Sequence, residues 1–282
     1  MRESLDRHLT RVLGSNVTTR RRVSGGDTCD AWRVQLTDGR TVFAKEHTNA
    51  GSMFDIEAFG LQWLAQALAL RVPEVVHTSS RALVLEFVES GTRSASFDET
   101  LGRGLAQLHA LAPPSFGLAR HGVLASLPQD NTPEPDWATF YGVRRLVPML
   151  ALCVERGHLP AEARGELDAL LRVLPQRLGP PEPPARLHGD LWSGNVIVDA
   201  RGAPVLVDPA VYGGHRETDL AMMRLFGGFS PATFAAYEEA APLEPESRDR
   251  VELHQLYPVL VHAALFGGHY GGAARRTLTR YA

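Results

Sequence analysis

Asn195 and Asp208 stand thirteen residues apart, and the stretch between them reads as a compact hairpin. Asn195 to Asp199 forms one strand, Arg201-Gly202 the turn, and Val205 to Asp208 the second strand. Such a hairpin returns two polar side chains to one end of an apolar ribbon. Five residues before Asn195 lies Asp190, in the run His188-Gly189-Asp190-Leu191-Trp192-Ser193-Gly194-Asn195. Asp and Asn are each common turn residues when taken singly. As a set they suit one chemistry. An Asp in a loop can orient a hydroxyl and accept its proton. An Asn at the loop's far end can offer an amide oxygen to Mg²⁺. A second Asp, returned by the hairpin, can bind the metal that bridges phosphates. Mg²⁺ takes hard oxygen ligands together with phosphate oxygens, and this set supplies them.

Features upstream point the same way. Lys45 ends the apolar run Thr-Val-Phe-Ala-Lys, from which an ammonium can reach nucleotide phosphates. Glu57 follows twelve residues later in the first turns of a predicted helix, where it can pair with Lys45. Either alone would read as a solvated surface charge; their order behind one strand and before one helix argues for the pair. Gly25-Gly26, between two predicted strands, can let the backbone cover phosphates. The run is neither a G-x-G-x-x-G nor a Walker A loop, and on its own a plain hairpin turn explains it better. In Leu85-Glu86-Phe87-Val88 the backbone around Glu86 and Val88 can meet an adenine edge. An indole at Trp192 can stack on a sugar or simply pack. His215-Arg216-Glu217 and Asp219 crowd charge just after Asp208, and Asp219 can cap a helix and brace the loop. His262 and His269 share a predicted helix without metal-ligand spacing.

The remaining pattern predicts an α+β chain in two lobes. Residues 1–14 and 54–70 read as helices around strands at 31–36, 41–45 and 82–88, giving a small mixed lobe over 1–89 with an antiparallel sheet. Residues 97–111, 137–156, 161–178 and most of the chain beyond Asp219 read as helices, giving a larger helical lobe over 90–282. Residues 112–136 read as a loop. Net charge is −3, which argues against a nonspecific nucleic-acid binder. Two cysteines, Cys29 and Cys153, are too few for a disulfide framework or a zinc site and fit a reducing compartment. The charged start lacks an apolar export segment, and the apolar stretch 256–274 is broken by Pro258, two histidines and four glycines. A cytoplasmic, membrane-free chain is expected.

The chain resembles the fructosamine kinase (ketosamine 3-kinase) family, within the protein-kinase-like fold that also holds aminoglycoside phosphotransferases and choline kinases. The resemblance is carried by LHGDLWSGNVIVD, by VDPAVYGGHRETDLAMMRLFGGF and by LHQLYPVLVHAALFGGHYGGAARRTLTRY, with Met53-Phe54 and Glu57 upstream. It covers nearly the whole chain and implies a bilobal fold. It implies phosphorylation of a ketosamine at its sugar 3-hydroxyl by ATP and Mg²⁺, after which the product breaks down and frees the amine. Asp190 would be the base, Asn195 and Asp208 the metal ligands, and Lys45 with Glu57 the phosphate anchor. Gly25, Gly26, Glu86 and Val88 fall at the nucleotide. Trp192, His215, Glu217 and His262 fall at the acceptor. The chain departs from the family pattern at Gly213, Val261 and Cys29, none of which touches the phosphate chemistry. A kinase of another amino-alcohol, such as an aminoglycoside, is the alternative; a nucleotide-binding scaffold would be expected to lack one of Lys45, Asp190, Asn195 and Asp208. A monomer is expected, and Cys29 can support a redox-linked dimer.

Overall fold

The computed structural model describes residues 4–23, 29–47 and 50–282. By internal contacts the chain divides into two compact units, Met1–Phe97 with Asn195–Pro209, and Asp98–Gly194 with Ala210–Ala282. The hairpin over 195–209 therefore packs with the N-terminal unit, although it follows the Asp190 loop in the chain.

The first unit opens with α1 (Leu5–Leu13). The Ser4 hydroxyl accepts from the Arg7 N–H, and Gly14, in the left-handed conformation, ends the helix. β1 (Val17–Arg22), β2 (Asp30–Leu36) and β3 (Thr41–Glu46) follow, then α2 (Met53–Ala65), β4 (Val75–Thr78) and β5 (Ala82–Glu86). The strands form one antiparallel sheet in the order β1-β2-β3-β5-β4. Period-two alternation buries Val34, Leu36, Val42, Ala44, Ala82 and Val84 against Leu5 and Leu9 of α1. Phe54, Ala58 and Leu61 of α2 pack with Leu83 and Leu85, and the half-buried Cys29 lies against this cluster. The Asp38-Gly39 turn closes β2 onto β3, with Gly39 at φ 87° and the Leu36 N–H on the Arg40 carbonyl.

The second unit starts within α3 (Phe97–Ala110). The expected loop at 112–136 holds a small hairpin, β6 (Gly122–Leu124) and β7 (Leu127–Gln129), which the central Pro128 hides in the sequence. α4 (Trp137–Thr139), a π-helical segment over Phe140–Leu146 and α5 (Val147–Glu155) run on in one rod, and α6 (Ala163–Arg177) follows. β8 (Ala185–Leu187) leads into the Asp190 loop. In the first unit again, β9 (Val196–Val198) and β10 (Pro204–Leu206) are shorter than expected, and Asp208 lies beyond the ladder. β11 (Tyr212–Gly214) pairs with β8. α7 (Glu217–Leu225), α8 (Pro231–Ala240), α9 (Val251–Phe266) and α10 (His269–Tyr281) complete the chain. The core of this unit joins Tyr141, Leu150, Leu170, Leu187, Tyr212, Leu260 and Leu278. Cys153 is buried there with its Sγ 3.3 Å from the Leu260 carbonyl, and burial pushes its thiol up to about 11. Among the described residues no helix is long and apolar enough to cross a membrane.

Candidate active site

Four of the sequence-predicted residues meet in the first unit. β3 ends with Lys45, and the first turn and a half of α2 carries Glu57. The Lys45 Nζ lies 2.7 Å from Glu57 Oε1 and 2.6 Å from Asp208 Oδ1. Lys45 and Glu57 are nearly buried, while the Asp208 side chain is 39% exposed. Burial alone would lower the Lys45 ammonium, but the two carboxylates overcome it, so its affinity for the proton rises and the charge stays. Burial pushes the Glu57 carboxyl up to about 7, with Lys45 opposing and Asp208 reinforcing. Two carboxylates thus share one ammonium, and one of them opens to solvent.

The β9–β10 hairpin brings Asn195 to the same place. Asn195 lies in a 3-10 turn before β9, and its Nδ2 is 3.5 Å from the Asp208 carbonyl. The Val207 N–H bonds the Asn195 carbonyl, which closes the ribbon. Asp208 sits at φ 52°, a left-handed conformation that is uncommon for a side chain other than glycine. Strained backbone of this kind persists where the surroundings hold it, and it clusters at functional positions. An amide oxygen and a carboxylate are hard donors, so this pair fits Mg²⁺. Arg71 fastens the hairpin to the sheet, with Nη1 2.7 Å from Asp199 and Nη2 2.5 Å from Glu86. The Glu86 carboxylate is thereby engaged, and its N–H bonds the Glu74 carbonyl. Val88 is buried two residues on. Gly25 and Gly26 lie outside the described residues.

The second unit carries the other predicted residues. The loop after β8 holds Asp190, whose N–H faces His188 Nδ1 at 3.3 Å. Gly189 has φ 83°, and a Cβ there would strike the Ala210 carbonyl, so only glycine fits. Asp219, at the start of α7, braces this loop. It accepts the His188 N–H at 2.7 Å and the Gly189 N–H at 2.9 Å. His109 Nε2 lies 3.2 Å from the same carboxylate, and the Tyr237 hydroxyl lies 2.9 Å from His109 Nδ1. Burial would raise the Asp219 carboxyl, but these donors hold it below the usual range. The loop-bracing role of Asp219 was visible from its place after Asp208. His109 and Tyr237 lie 110 residues before and 18 after it, with no motif to link them.

His215 and Glu217 are buried in a polar network. Arg250 grips the Glu217 carboxylate with Nε and Nη2, His254 Nε2 lies 3.4 Å from it, and His215 stacks on His254 with centroids 5.1 Å apart. Burial would raise Glu217, but its His254 and Arg250 partners pull it down to about 2. Trp192 is 40% exposed, its ring laid over Gly194 and edge-on to Phe226. His262 lies on α9, beside Phe226 at 4.9 Å, with Nδ1 2.8 Å from the Pro258 carbonyl.

Comparison with known proteins converges on one family. The family model described as fructosamine kinase matches residues 1–282. A protein of Enterococcus faecium, named a probable ketoamine kinase, is 38% identical over 92% of this chain and 94% of its own length. A solved structure from Thermobifida fusca, named as a candidate fructosamine-3-kinase, has a TM-score of 0.89 at 37% identity, covering 98% of this chain and 97% of that one. A macrolide 2'-phosphotransferase from Brachybacterium faecium has a TM-score of 0.62 at 19% identity over 96% of each chain, a likeness of fold alone. The match over the full length, with identities well above a shared fold, makes this chain a member of the fructosamine kinase family, phosphotransferases of the protein-kinase-like fold that act on a sugar hydroxyl of ketoamines.

Proposed function

We propose that this chain transfers the γ-phosphoryl group of ATP to the sugar 3-hydroxyl of a ketosamine, a ribulosamine, erythrulosamine or fructosamine, and so initiates removal of the sugar from the amine. The observation that carries the reading is Lys45 held at 2.7 Å from Glu57, the Lys–Glu pair that protein kinases use, with Asp208 at 2.6 Å beside it as the candidate metal ligand. Asp190 is the base: its carboxylate orients the acceptor hydroxyl and accepts its proton. Lys45 donates to phosphate oxygens, and Glu57 fixes the ammonium. Asn195 and Asp208 would hold Mg²⁺, which supplies charge neutralisation at the phosphates when bound. Gly25, Gly26 and the backbone at Glu86 and Val88 are assigned to the nucleotide. Trp192, His262, His215 and Glu217 are assigned to the acceptor side, the last two as buried members of a network with Arg250 and His254. The same reading makes the protein a cytoplasmic monomer whose partner is a glycated amine, free or protein-bound. Oxidation through Cys29 would give a dimer that dithiothreitol dissolves, and a Cys29→Ser variant that still dimerised would exclude it.

The test is ADP release with ATP and Mg²⁺ on a ribulosamine, a fructosamine and an aminoglycoside side by side, with Asp190→Asn as control. Turnover on a ketosamine that vanishes in the control supports the reading. Turnover on the aminoglycoside alone would replace it with the kinase of another amino-alcohol.

A further inference from the structure

Two helices of the second unit end on the same three residues. α7 is followed by Phe226-Gly227-Gly228, and α9 ends in Phe266-Gly267-Gly268. All four glycines have positive φ, at 69°, 89°, 65° and 63°. Each pair turns the chain away at once and itself adds no side chain beside the ring. Phe226 is 41% exposed and Phe266 65%, values at odds with the burial of most large apolar residues in this unit. The first turn also abuts the Asp190 loop, because a Cβ on Gly228 would strike the Ser193 hydroxyl.

The rings are not scattered. Trp192 meets Phe226 edge-on at 6.4 Å, Phe226 meets His262 at 4.9 Å, and His262 meets Phe266 at 5.8 Å and Tyr270 at 5.1 Å. A continuous aromatic row therefore starts two residues from Asp190 and runs outward to Phe266. His262 stands in its middle. Its Nδ1–H is given to the Pro258 carbonyl, so in the neutral ring Nε2 is left as an acceptor. The row itself carries no carboxylate and no guanidinium. Exposed aromatic surface that is contiguous with a reaction centre marks a ligand subsite rather than ordinary surface.

We propose that this row is the aglycone subsite, and that Phe226 and Phe266 select ketosamines whose amine carries an aromatic or extended apolar body. The inference rests on the ketosamine kinase reading and names its acceptor class. With the sugar hydroxyl at Asp190, the amine nitrogen of the acceptor is carried along the row. A protonated amine is attracted to ring faces and can donate to His262 Nε2. The apolar body beyond the nitrogen then stacks on Phe226 and Phe266. A methylamine adduct leaves these two rings uncovered.

The experiment compares ribulose adducts of benzylamine and methylamine on the full-length protein, in the unaltered chain and in Phe226→Ala, Phe266→Ala and the double variant. The readout is the ratio of kcat/KM for the two adducts, which is insensitive to a general loss of activity. The unaltered protein favours the benzylamine adduct by about tenfold, mainly through KM, as expected for two stacked rings. Each substitution reduces the ratio about threefold and the double variant brings it near one. Phe→Leu variants at both positions guard against misfolding: they keep apolar bulk, and the ratio falls part of the way. A ratio of one in the unaltered protein, or a ratio unchanged in the double variant, overturns the proposal. Should no ketosamine be phosphorylated, the kinase reading fails, and direct binding still decides the subsite. In that case tryptophan fluorescence titrated with each adduct without ATP shows tighter binding of the benzylamine adduct, lost in the double variant; equal binding of the two overturns it.

Discussion

A lysine between two carboxylates is an unusual resting arrangement, because one ammonium cannot neutralise both. Lys45 keeps its charge, Glu57 is buried beside it, and Asp208 keeps one side open to solvent. The arrangement suits a site that awaits a cation and phosphates, since an added positive charge relieves the excess of negative charge. Asp208 and Gly189 both hold left-handed backbone, on either side of the Asn195 hairpin. Asp190 belongs to the second unit, and the proposed function assigns it to the acceptor hydroxyl. The Asp190→Asn variant is therefore expected to lose phosphoryl transfer by about a thousandfold or more while ATP still binds. ADP release and a nucleotide titration on the same preparation check this, and normal turnover would remove Asp190 from the reaction. Asp219 acts one step back, through the backbone N–H groups of His188 and Gly189. Asp219→Ala leaves these buried donors unpaired, at a cost of about 3 kcal/mol in stability. A melting curve reads that loss, and a variant as stable as the parent would show that the bracing is dispensable.

Elements with strong periodicity were legible, and those set by tertiary contacts were not. The α1 stripe, the β2–β3 hairpin with its Asp38-Gly39 turn, and the long helices of the second unit follow from side-chain spacing alone. The β6–β7 hairpin did not, because two three-residue strands, one with a central proline, carry no period. β8 and β11 are equally short, and they pair only because Tyr212 lies opposite Leu187 in the fold. Among the candidate residues, the Asp190, Asn195 and Asp208 intervals and the Lys45–Glu57 order could be read directly, whereas Arg71 in the first unit, and His109 and Tyr237 in the second, come from distant parts of the chain. α9 shows the same division. Pro258 cannot donate to the His254 carbonyl, so an interior proline should break this helix. Tyr141, from the π-helical segment, mends it: its hydroxyl donates to the Leu253 carbonyl at 2.7 Å, lies 3.3 Å from the His254 carbonyl and accepts the Tyr257 N–H at 3.2 Å. Tyr141→Phe strips that cover from a buried break. The expected loss is about 1–3 kcal/mol, seen as a lower denaturant midpoint with an unchanged slope. A midpoint equal to the parent's would show that the helix closes the gap without the hydroxyl.

The candidate residues fall in two units, and acid should reach them unequally. Lys45, Glu57, Asn195 and Asp208 belong to the first unit; Asp190 and the buried network of His215, Glu217, Arg250 and His254 belong to the second. Burial, reinforced by the neighbouring His254, lowers His215 to about 4 from an ordinary 6.5, and nearby Glu217 and Glu182 oppose this only in part. The folded unit therefore holds this ring neutral where the unfolded chain would protonate it. Between about pH 6.5 and pH 4 the unfolded state binds the extra proton, so stability is fully present above 6.5 and falls as pH drops through the window. A shift of this size corresponds to about 3 kcal/mol across that window. Glu217, held down to about 2 from an ordinary 4.5, contributes stability that is fully present above about pH 4.5 and is lost as pH falls from there toward 2, where protonation releases Arg250. Denaturant melts at pH 7.5, 5.5 and 4.5 separate the two, and multiphasic curves would assign the acid-sensitive step to one unit. In His215→Gln the slope of stability against pH between 6.5 and 4 should flatten, because a side chain that cannot titrate binds no proton in either state. Parallel pH profiles for the variant and the parent would mean that the network, and not this buried ring, sets the acid limit of the fold.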